Sequence, residues 1–466
     1  GAILGLFGGA VFFALLMSIF TKNKKLRYGM LVFFAFLLLL ISLFLIFKNS
    51  GFIQNNSVLS RFSAISFSER TVTSRFTIWK MSLQGFLERP FLGWGPENYN
   101  IVFNKYYQSE LWQQEPWFDR SHNIVFDWLI SAGILGSLAY WSIFGAVIFV
   151  VLSLYRKKYF TLTEGGLFLA LFIAYIFHNF FVFDNLTSYF MFFSILGYLH
   201  FSYAHSHNAE EQENSQQKSK TRNIGMISYL MIILAFIVVV FSLYFANLKP
   251  LLAGRQLITT LGEIRSKGAD VNFTLGEFNK VFSYQSFGDG EAREQLASYA
   301  ESVIGTSGIT QENKTLVATK AIEEMNKQIQ GAPNDARSYL VLTALYMKSN
   351  QLDEAMKTAT KALELSPKKQ QIYFVITDIY LSAGQNDKAF ALLQKAYELD
   401  STYGDAARNL AIISIVANKI NSAEKILNEP EANWPAKFGI LQLINAYARA
   451  GNYQKIKELW RIMIAR

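Results

Sequence analysis

Long apolar stretches dominate the first half of the chain and disappear from the second half. Six of them approach or exceed the roughly 20 apolar residues that a transmembrane helix needs. The pattern therefore predicts a polytopic helical membrane domain over residues 1–246. The spans are expected near residues 1–20, 28–47, 123–154, 165–183, 186–204 and 225–246.

Basic residues beside these spans predict their orientation. Positive charge follows the first and third spans and precedes the sixth, and loops rich in Lys and Arg stay in the cytoplasm. The opposite face then carries a large loop at 49–122, the turn at Asp184 and Asn185, and everything after residue 247. The orienting residues are Lys22, Lys24, Lys25, Arg27, Arg156, Lys157, Lys158, Lys218, Lys220 and Arg222.

A 34-residue repeat replaces the apolar pattern in the C-terminal part. Its period and its small residues resemble tetratricopeptide repeats, in which paired helices stack into a solenoid. We predict repeats over residues 319–466 and a helical connector over 247–318, so the whole chain is expected to be all-α. A solenoid offers an extended surface to a protein partner. The recurring pairs are Tyr339/Tyr373, Tyr346/Tyr380, Ala355/Ala389, Ala362/Ala396 and Leu365/Leu399.

Composition agrees with a membrane protein. Of 466 residues, 51% are hydrophobic and 41 are Phe, which excludes an ordinary soluble protein. The chain begins inside an apolar stretch without an initiator Met, so we expect it to be the C-terminal part of a longer protein. The net charge of +9 is explained by the basic loops and not by nucleic-acid binding. Without Cys there is no disulfide, thiolate nucleophile or Cys-ligated zinc.

The loop at 49–122 carries the candidate chemistry, because a loop of this length is often functional. An amphipathic helix is predicted at 74–87, followed by a stop and a tight turn. Aromatic residues then follow densely, which favours a membrane interface. The loop ends at His122, where the third span starts. On a continuous helix Gly133 and Gly136 would lie on nearly the same face as His122 and let another helix approach closely.

Several motifs in this region resemble a known family. They are Arg75, Trp79, Arg89-Pro90, Gly93-x-Gly95-Pro96 and, after them, His122-Asn123 followed, after nine intervening residues, by Gly133-x-x-Gly136. In this order they resemble the C-terminal conserved region of the O-antigen ligase and polymerase superfamily. The resemblance covers about residues 1–246, with the repeats as an appended module. It implies a GT-C type membrane glycosyltransferase that moves a glycan from undecaprenyl diphosphate to an acceptor outside the cytoplasmic membrane.

The implied reaction suggests a role for each candidate residue. A lipid diphosphate leaving group needs guanidinium groups, for which Arg75 is the first candidate and Arg120 the second. His122 is the candidate base or orienting group for the acceptor hydroxyl, with Asn123 holding the ring or the substrate. Asp184 is expected to orient the His or bind the acceptor, or else to cap a helix end. No Asp-x-Asp pair occurs in the external loops, so neither metal nor cofactor is predicted.

The sequence leaves the exact activity open. A ligase would attach a finished glycan to a lipid A core or a protein, whereas a polymerase would extend the lipid-linked chain; the repeats slightly favour a protein acceptor or partner. A non-enzymatic membrane anchor for a repeat scaffold in envelope assembly is the alternative from another class. A transporter is disfavoured, because the polar groups cluster at the outer ends of the spans and not at their middle.

Overall fold

Helices account for all the regular structure that can be described. The computed structural model describes residues 2–63, 70–114, 117–214, 226–267, 270–427 and 438–465, and the elements in these ranges are helical, which confirms the predicted all-α class. Contacts divide the chain into two compact units. One comprises Gly1–Tyr106 with Gln114–Lys220, and the other comprises Tyr107–Gln113 with Thr221–Arg466.

The first unit contains nine of the helices found within the described ranges. They are α1 (Ala2–Phe20), α2 (Lys24–Phe47), α3 (Gly51–Gln54), α4 (Leu59–Ser63), α5 (Arg70–Glu88), α6 (Tyr99–Lys105), α7 (Ile124–Arg156), α8 (Leu162–Asn179) and α9 (Leu186–Asn214).

The second unit begins with a short 3₁₀ helix, Ser109–Gln113, contributed by the loop at 49–122. The remaining helices follow residue 221. They are α10 (Met226–Leu243), a π-helical turn (Tyr244–Leu248), α11 (Lys249–Lys267), α12 (Val271–Ser283), α13 (Asp289–Gly305), α14 (Gln311–Gly331), α15 (Ala336–Lys348), α16 (Leu352–Leu365), α17 (Gln370–Ser382), α18 (Asn386–Leu399), α19 (Gly404–Val416), α20 (Ile420–Leu427), α21 (Phe438–Arg449) and α22 (Tyr453–Ala465).

Five helical stretches among the described residues are long and apolar enough to cross a membrane, as expected of a multi-pass protein. The predicted stretch at 186–204 also forms a helix, α9, but Tyr, Ser and His residues interrupt its apolar run and it is not one of the five. The last of the five is longer than predicted, because the π turn joins α10 directly to α11. The five are Ala2–Phe20, Lys24–Phe47, Ile124–Arg156, Leu162–Asn179 and Met226–Arg265.

Small residues let α1 pack closely against α8. A Cβ atom added to Gly5 would lie 2.6 Å from the carbonyl oxygen of Ala174, and one added to Gly9 would lie 2.7 Å from that of Ala170. Glycines four residues apart that meet two alanines four residues apart are typical of helix pairs in membranes. This contact holds the first span against the helix that ends beside the candidate site.

Helix α7 is interrupted at Gly133, where φ is 60° and ψ is −162°. The chain that follows α5 fills the interruption, and its backbone supplies the hydrogen-bonding partners that the broken helix lacks. The bonds run from Trp94 N to Ile130 O (2.7 Å), from Gly95 N to Ser131 O (3.0 Å), from Ile134 N to Pro90 O (2.7 Å) and from Leu135 N to Phe91 O (3.4 Å).

Two glycines make this close approach possible. A Cβ on Gly133 would lie 2.3 Å from the carbonyl oxygen of Phe91, and one on Gly93 would lie 2.4 Å from that of Ile130. The expectation of one continuous helix with a second helix against its glycines was therefore wrong at this point. Helix α7 starts only at Ile124, after His122, and the backbone of a loop is what approaches Gly133.

The repeat region forms the predicted helix pairs. The repeated Ala positions are completely buried between helices, because only a methyl group fits where paired helices cross. The turns inside successive pairs contain a residue with positive φ, which ends the first helix of each pair. The buried alanines are Ala321, Ala355, Ala362, Ala389, Ala396 and Ala423, and the positive-φ residues are Asn350, Gly384, Asn418 and Gly451.

Candidate active site

Helix α5 is fixed against the start of α7 by Trp79. Its indole Nε1 donates a hydrogen bond to the carbonyl oxygen of Ser121 at 3.2 Å. Its ring stacks on Phe126 with centroids 5.8 Å apart and meets Phe180 edge-on at 5.5 Å. Arg75 precedes Trp79 by one turn on the same helix face. The tryptophan therefore directs Arg75 toward the segment that carries His122.

Arg75 is half-buried and anchored at one end of its guanidinium. Nη1 donates a hydrogen bond of 2.7 Å to the carbonyl oxygen of Phe181. Burial lowers the pKa of Arg75 from its ordinary value, yet an arginine stays cationic at neutral pH. A guanidinium has five N–H donors, and this bond engages one of them. Arg75 is thus a positioned cation that can still donate to an anionic ligand.

His122 lies in an unusual backbone conformation beside Arg75. Its φ is 55°, in the left-handed region that costs a non-glycine residue on the order of 1–3 kcal/mol and often marks functional positions. Its ring packs edge-on against Phe118 and tilted against Phe183, with centroids 5.4 Å away in each case. His122 and Arg75 line one cavity of about 130 Å³. The two residues predicted for the chemistry therefore meet at one place.

Asn123 starts helix α7. Its Oδ1 accepts hydrogen bonds from Val125 N at 2.9 Å and Phe126 N at 3.4 Å, as an N-cap residue does. Its Nδ2 donates to the carbonyl oxygen of Phe180 at 3.1 Å, and the residue is fully buried. The side chain is thus engaged by the protein itself. This geometry favours a positioning role, through the backbone that it shares with His122.

Ser121 and Asp127 hold the other side of His122. The Asp127 Oδ1 atom accepts hydrogen bonds from Ser121 N at 2.8 Å and from Ser121 Oγ at 2.6 Å. The second carboxylate oxygen, Oδ2, has no protein partner among the residues that the structure describes. With Asn123, this pair fixes the backbone on both sides of the histidine.

A second and larger cavity, of about 530 Å³, is lined in part by Phe183. Its size falls within the roughly 300–1,000 Å³ of small-molecule sites. Arg120 lines it and pairs with Glu97, with Nη2 at 2.8 Å from Oε1. The Arg120 guanidinium also lies 5.1 Å from the centroid of the Phe183 ring, which contacts His122 as well. Phe183 thus contacts both His122, which lines the cavity with Arg75, and Arg120, which lines the larger cavity.

Asp184 belongs to the larger cavity. Its Oδ1 accepts hydrogen bonds from Tyr175 Oη at 2.6 Å, Asn179 Nδ2 at 3.0 Å and Ser188 Oγ at 2.9 Å. Its Oδ2 has no partner in the described part of the chain, and the residue is 6% exposed. Asp184 and Arg120 line the same cavity. Of its predicted roles, acceptor binding is the one this placement favours.

Sequence reasoning missed several residues that shape the larger cavity. Glu97 follows the Gly-Pro turn directly, and nothing in the sequence indicates that it pairs with Arg120. Asp127 accepts hydrogen bonds from Ser121 and also lines the cavity. The aromatic walls were missed too; they are Trp128, Phe183 and Tyr189.

Fold and site together describe an all-helical, multi-pass membrane protein with a tetratricopeptide module. Comparison with known families agrees with both parts. Residues 1–141 match the family described as O-antigen ligase, residues 380–433 match the tetratricopeptide repeat, and residues 310–401 match the ChAPs (Chs5p-Arf1p-binding proteins). The first match confirms the resemblance found in the motifs and indicates O-antigen ligase-like glycan transfer. The repeats indicate a scaffold for protein binding.

Several solved structures are similar to part of this chain. MamA is 18% identical, with 34% of this chain and 94% of that chain covered and a TM-score of 0.27. YrrB, a TPR protein, is 15% identical, with 40% of this chain and 91% of that chain covered and a TM-score of 0.28. The pilF protein of Pseudomonas aeruginosa is 13% identical, with 45% of this chain and 90% of that chain covered and a TM-score of 0.33. No curated protein matches the chain significantly.

Proposed function

We propose that the membrane unit transfers a glycan from undecaprenyl diphosphate to an acceptor hydroxyl at the outer face of the cytoplasmic membrane. The O-antigen ligase match over residues 1–141 supports the class of reaction. The observation that carries the proposal is that Arg75 and His122 line one cavity at the start of α7. The basic loops support an orientation that puts this cavity and the repeats outside the cytoplasm.

Arg75 binds the lipid diphosphate in this proposal. When the bond between the anomeric carbon and the phosphate oxygen breaks, negative charge develops on the leaving diphosphate. A fixed guanidinium stabilises that charge, and its fork geometry suits phosphate oxygens. The hydrogen bond from Arg75 to Phe181 orients the group before substrate arrives. The charge is supplied by arginine and needs no metal ion.

His122 accepts the proton of the acceptor hydroxyl as the new glycosidic bond forms. A neutral imidazole suits this task near pH 7. The Asn123 side chain accepts a hydrogen bond from Val125 N, and the Ser121 hydroxyl donates one to the Asn123 carbonyl oxygen. These bonds hold the backbone on both sides of His122, whose ring lines the cavity with Arg75. Asn123 is thus a positioning residue in this mechanism.

In this proposal the larger cavity binds the acceptor sugar, next to the bond that forms. Sugars combine hydroxyl donors with apolar ring faces, and the cavity offers carboxylates together with aromatic side chains. The Asp184 Oδ2 atom, which has no protein partner in the described structure, can accept a hydroxyl hydrogen bond. Arg120, held by Glu97 at the cavity wall, contributes a second cation for the donor.

The proposal is tested by transfer from a defined undecaprenyl-diphosphate glycan in the presence of the purified full chain. Transfer should fall by roughly 10²–10³-fold in Arg75→Ala, by analogy with the loss of one donor to a developing anion. Arg75→Lys should recover part of the rate, because it keeps the charge and loses the fork. Lys80→Ala, an exposed position on the same helix, is the matched control.

Unchanged donor use by Arg75→Ala would contradict the diphosphate role. Offering a lipid A core, a protein and the lipid-linked glycan itself as separate acceptors distinguishes a ligase from a polymerase. A chain that transfers to none of the three, and whose loop 49–122 tolerates scrambling, would instead be a membrane anchor for the repeats.

Asp184→Asn should raise the KM for the acceptor by roughly tenfold, the effect expected for one hydrogen bond to a charged group. The asparagine keeps an oxygen for Tyr175, Asn179 and Ser188, so the thermal midpoint should change little. Asp184→Ala removes that oxygen as well and should lower both the midpoint and the rate. An Asp184→Asn variant with an unaltered acceptor KM would restrict Asp184 to the helix-end role.

A further inference from the structure

Part of the external loop belongs to the same compact unit as the repeats. Residues Tyr107–Gln113, which include the 3₁₀ helix Ser109–Gln113, pack at one end of the helix pair α17 and α18. The contacts come from the residues just before α17 and from those that connect α18 to α19. We call this stretch the docking segment. It is neither a span nor part of the site described above.

Trp112 is the central contact of the docking segment. Its ring stacks on Tyr403 with centroids 4.4 Å apart and planes inclined by 17°. Its Nε1 donates a hydrogen bond to the Asp400 carboxylate at 3.1 Å. Ser109 Oγ donates a second bond to the carbonyl oxygen of Leu399 at 2.8 Å. An aromatic side chain with both a stacking partner and a polar partner is typical of the residues that dominate binding energy.

Tyr107 and Leu111 extend the contact into the interior of the unit. Each is only 1% exposed. The Lys369 ammonium lies 4.9 Å from the centroid of the Tyr107 ring, within the range of a cation–π contact. Lys369 is itself 1% exposed, and burial lowers its pKa to about 7. A lysine and a tyrosine buried together show that the segment closes this surface off from water.

We propose that the repeats bind this chain's own docking segment as an intramolecular ligand and thereby position the loop that leads to His122. The segment ends nine residues before His122 and begins 19 residues after Glu88. Fixing it at the repeats divides a long external loop into two short connections, which reduces the conformations that the chain around His122 can adopt. The positioning role rests on the proposed function, whereas the binding does not.

The absence of cysteine from the sequence provides a direct test of the binding. In the full chain, Ser109→Cys with Ser401→Cys should be joined efficiently by a short bis-maleimide, within one chain. Ser109→Cys with Ser382→Cys should not, because Ser382 is at the other end of α17, whose 13 residues span roughly 18 Å. Equal yields for the two pairs, or products joined only between two chains, would overturn the intramolecular docking.

Variants of Trp112 test which contact holds the segment. Trp112→Ala should lower the cross-linking rate by roughly tenfold or more, as expected for a dominant interface residue. Trp112→Phe retains the stacking and loses the bond to Asp400, so an intermediate rate is expected. Trp460→Ala, the same change at a partly exposed position on α22, is the control and should leave the rate unchanged. A Trp112→Ala chain that cross-links like the unaltered pair would overturn the assignment.

Glycan transfer by the cross-linked chain tests the positioning role separately. A chain held in the docked state by the Ser109–Ser401 bridge should keep the rate of the unbridged chain, and Trp112→Ala without a bridge should be slower. Loss of transfer on bridging, or full transfer by Trp112→Ala, would overturn positioning. Cross-linking is read without any substrate, so a failure of the proposed function cannot be mistaken for a failure of docking.

Discussion

Replacing His122 by Asn should reduce glycan transfer by roughly 10²–10⁴-fold, the usual contribution of a general base. Asparagine is the informative substitution, because it tolerates the left-handed conformation that His122 adopts and lacks a comparable proton acceptor. His122→Ala should be at least as slow and also somewhat less stable. The measurement is the initial rate with a saturating undecaprenyl-diphosphate glycan, together with the pH dependence of that rate.

The donor should still bind to the His122→Asn chain, because Arg75 and its bond to Phe181 are unchanged. If the variant binds the donor as tightly as the unaltered chain but no longer transfers the glycan, His122 acts in the chemical step and not in binding the diphosphate. The fall in rate at acidic pH that reports the base should also disappear in this variant. An unchanged transfer rate in His122→Asn would contradict the role of His122 as a base, and the cavity would then only bind substrate.

Gly133→Ala should be the most destabilising single change in the membrane unit. The residue has φ 60° and ψ −162°, a conformation that is essentially restricted to glycine. A Cβ would also lie 2.3 Å from the carbonyl oxygen of Phe91. Backbone strain and overpacking together are expected to cost about 2–6 kcal/mol. The thermal midpoint in detergent should fall, and transfer should be lost with it.

Gly145→Ala provides the matched control on the same helix. Nothing lies within 4 Å of a Cβ at Gly145, so the substitution should be neutral or slightly stabilising, since alanine favours helix over glycine by roughly 1 kcal/mol. Equal midpoints for the two variants would show that the close approach at Gly133 is not required for stability.

Signals that lie close together in the sequence predicted the architecture. An apolar run of about 20 residues identifies a span by itself, and the 34-residue period identifies a helix pair, as the buried Ala355 and Ala389 confirm. Roles for Arg75 and His122 in one reaction were predicted through the family motifs, whose order along the chain resembles that family, and the two residues line one cavity. The role of Asp184 stays a prediction that Asp184→Asn tests, and the roles of Arg120 and Asn123 stay predictions.

Contacts between distant parts of the chain were not predictable in the same way. The sequence shows Gly93 and Gly133, but their spacing does not indicate that the loop after α5 packs into the interruption of α7 at Gly133. The dense aromatic residues of the loop were expected at a membrane interface, yet Tyr99, Phe103 and Tyr107 are buried within protein. An aromatic-rich stretch indicates side chains that are shielded from water, but it does not indicate whether lipid or protein shields them.

The hydrogen bonds between residues 90–95 and 130–135 have a consequence for how this protein can change over evolution. They hold the two ends of the loop 96–129 together at its base. An insertion in this loop therefore changes mainly the entropic cost of closing it. That entropy grows slowly, by about 0.6 kcal/mol for each doubling of length. The part of this loop that precedes the docking segment can therefore be lengthened at little energetic cost, provided that residues 107–113 keep their contacts with the repeats. New glycan or partner preferences can arise there without rebuilding the base that carries Gly133.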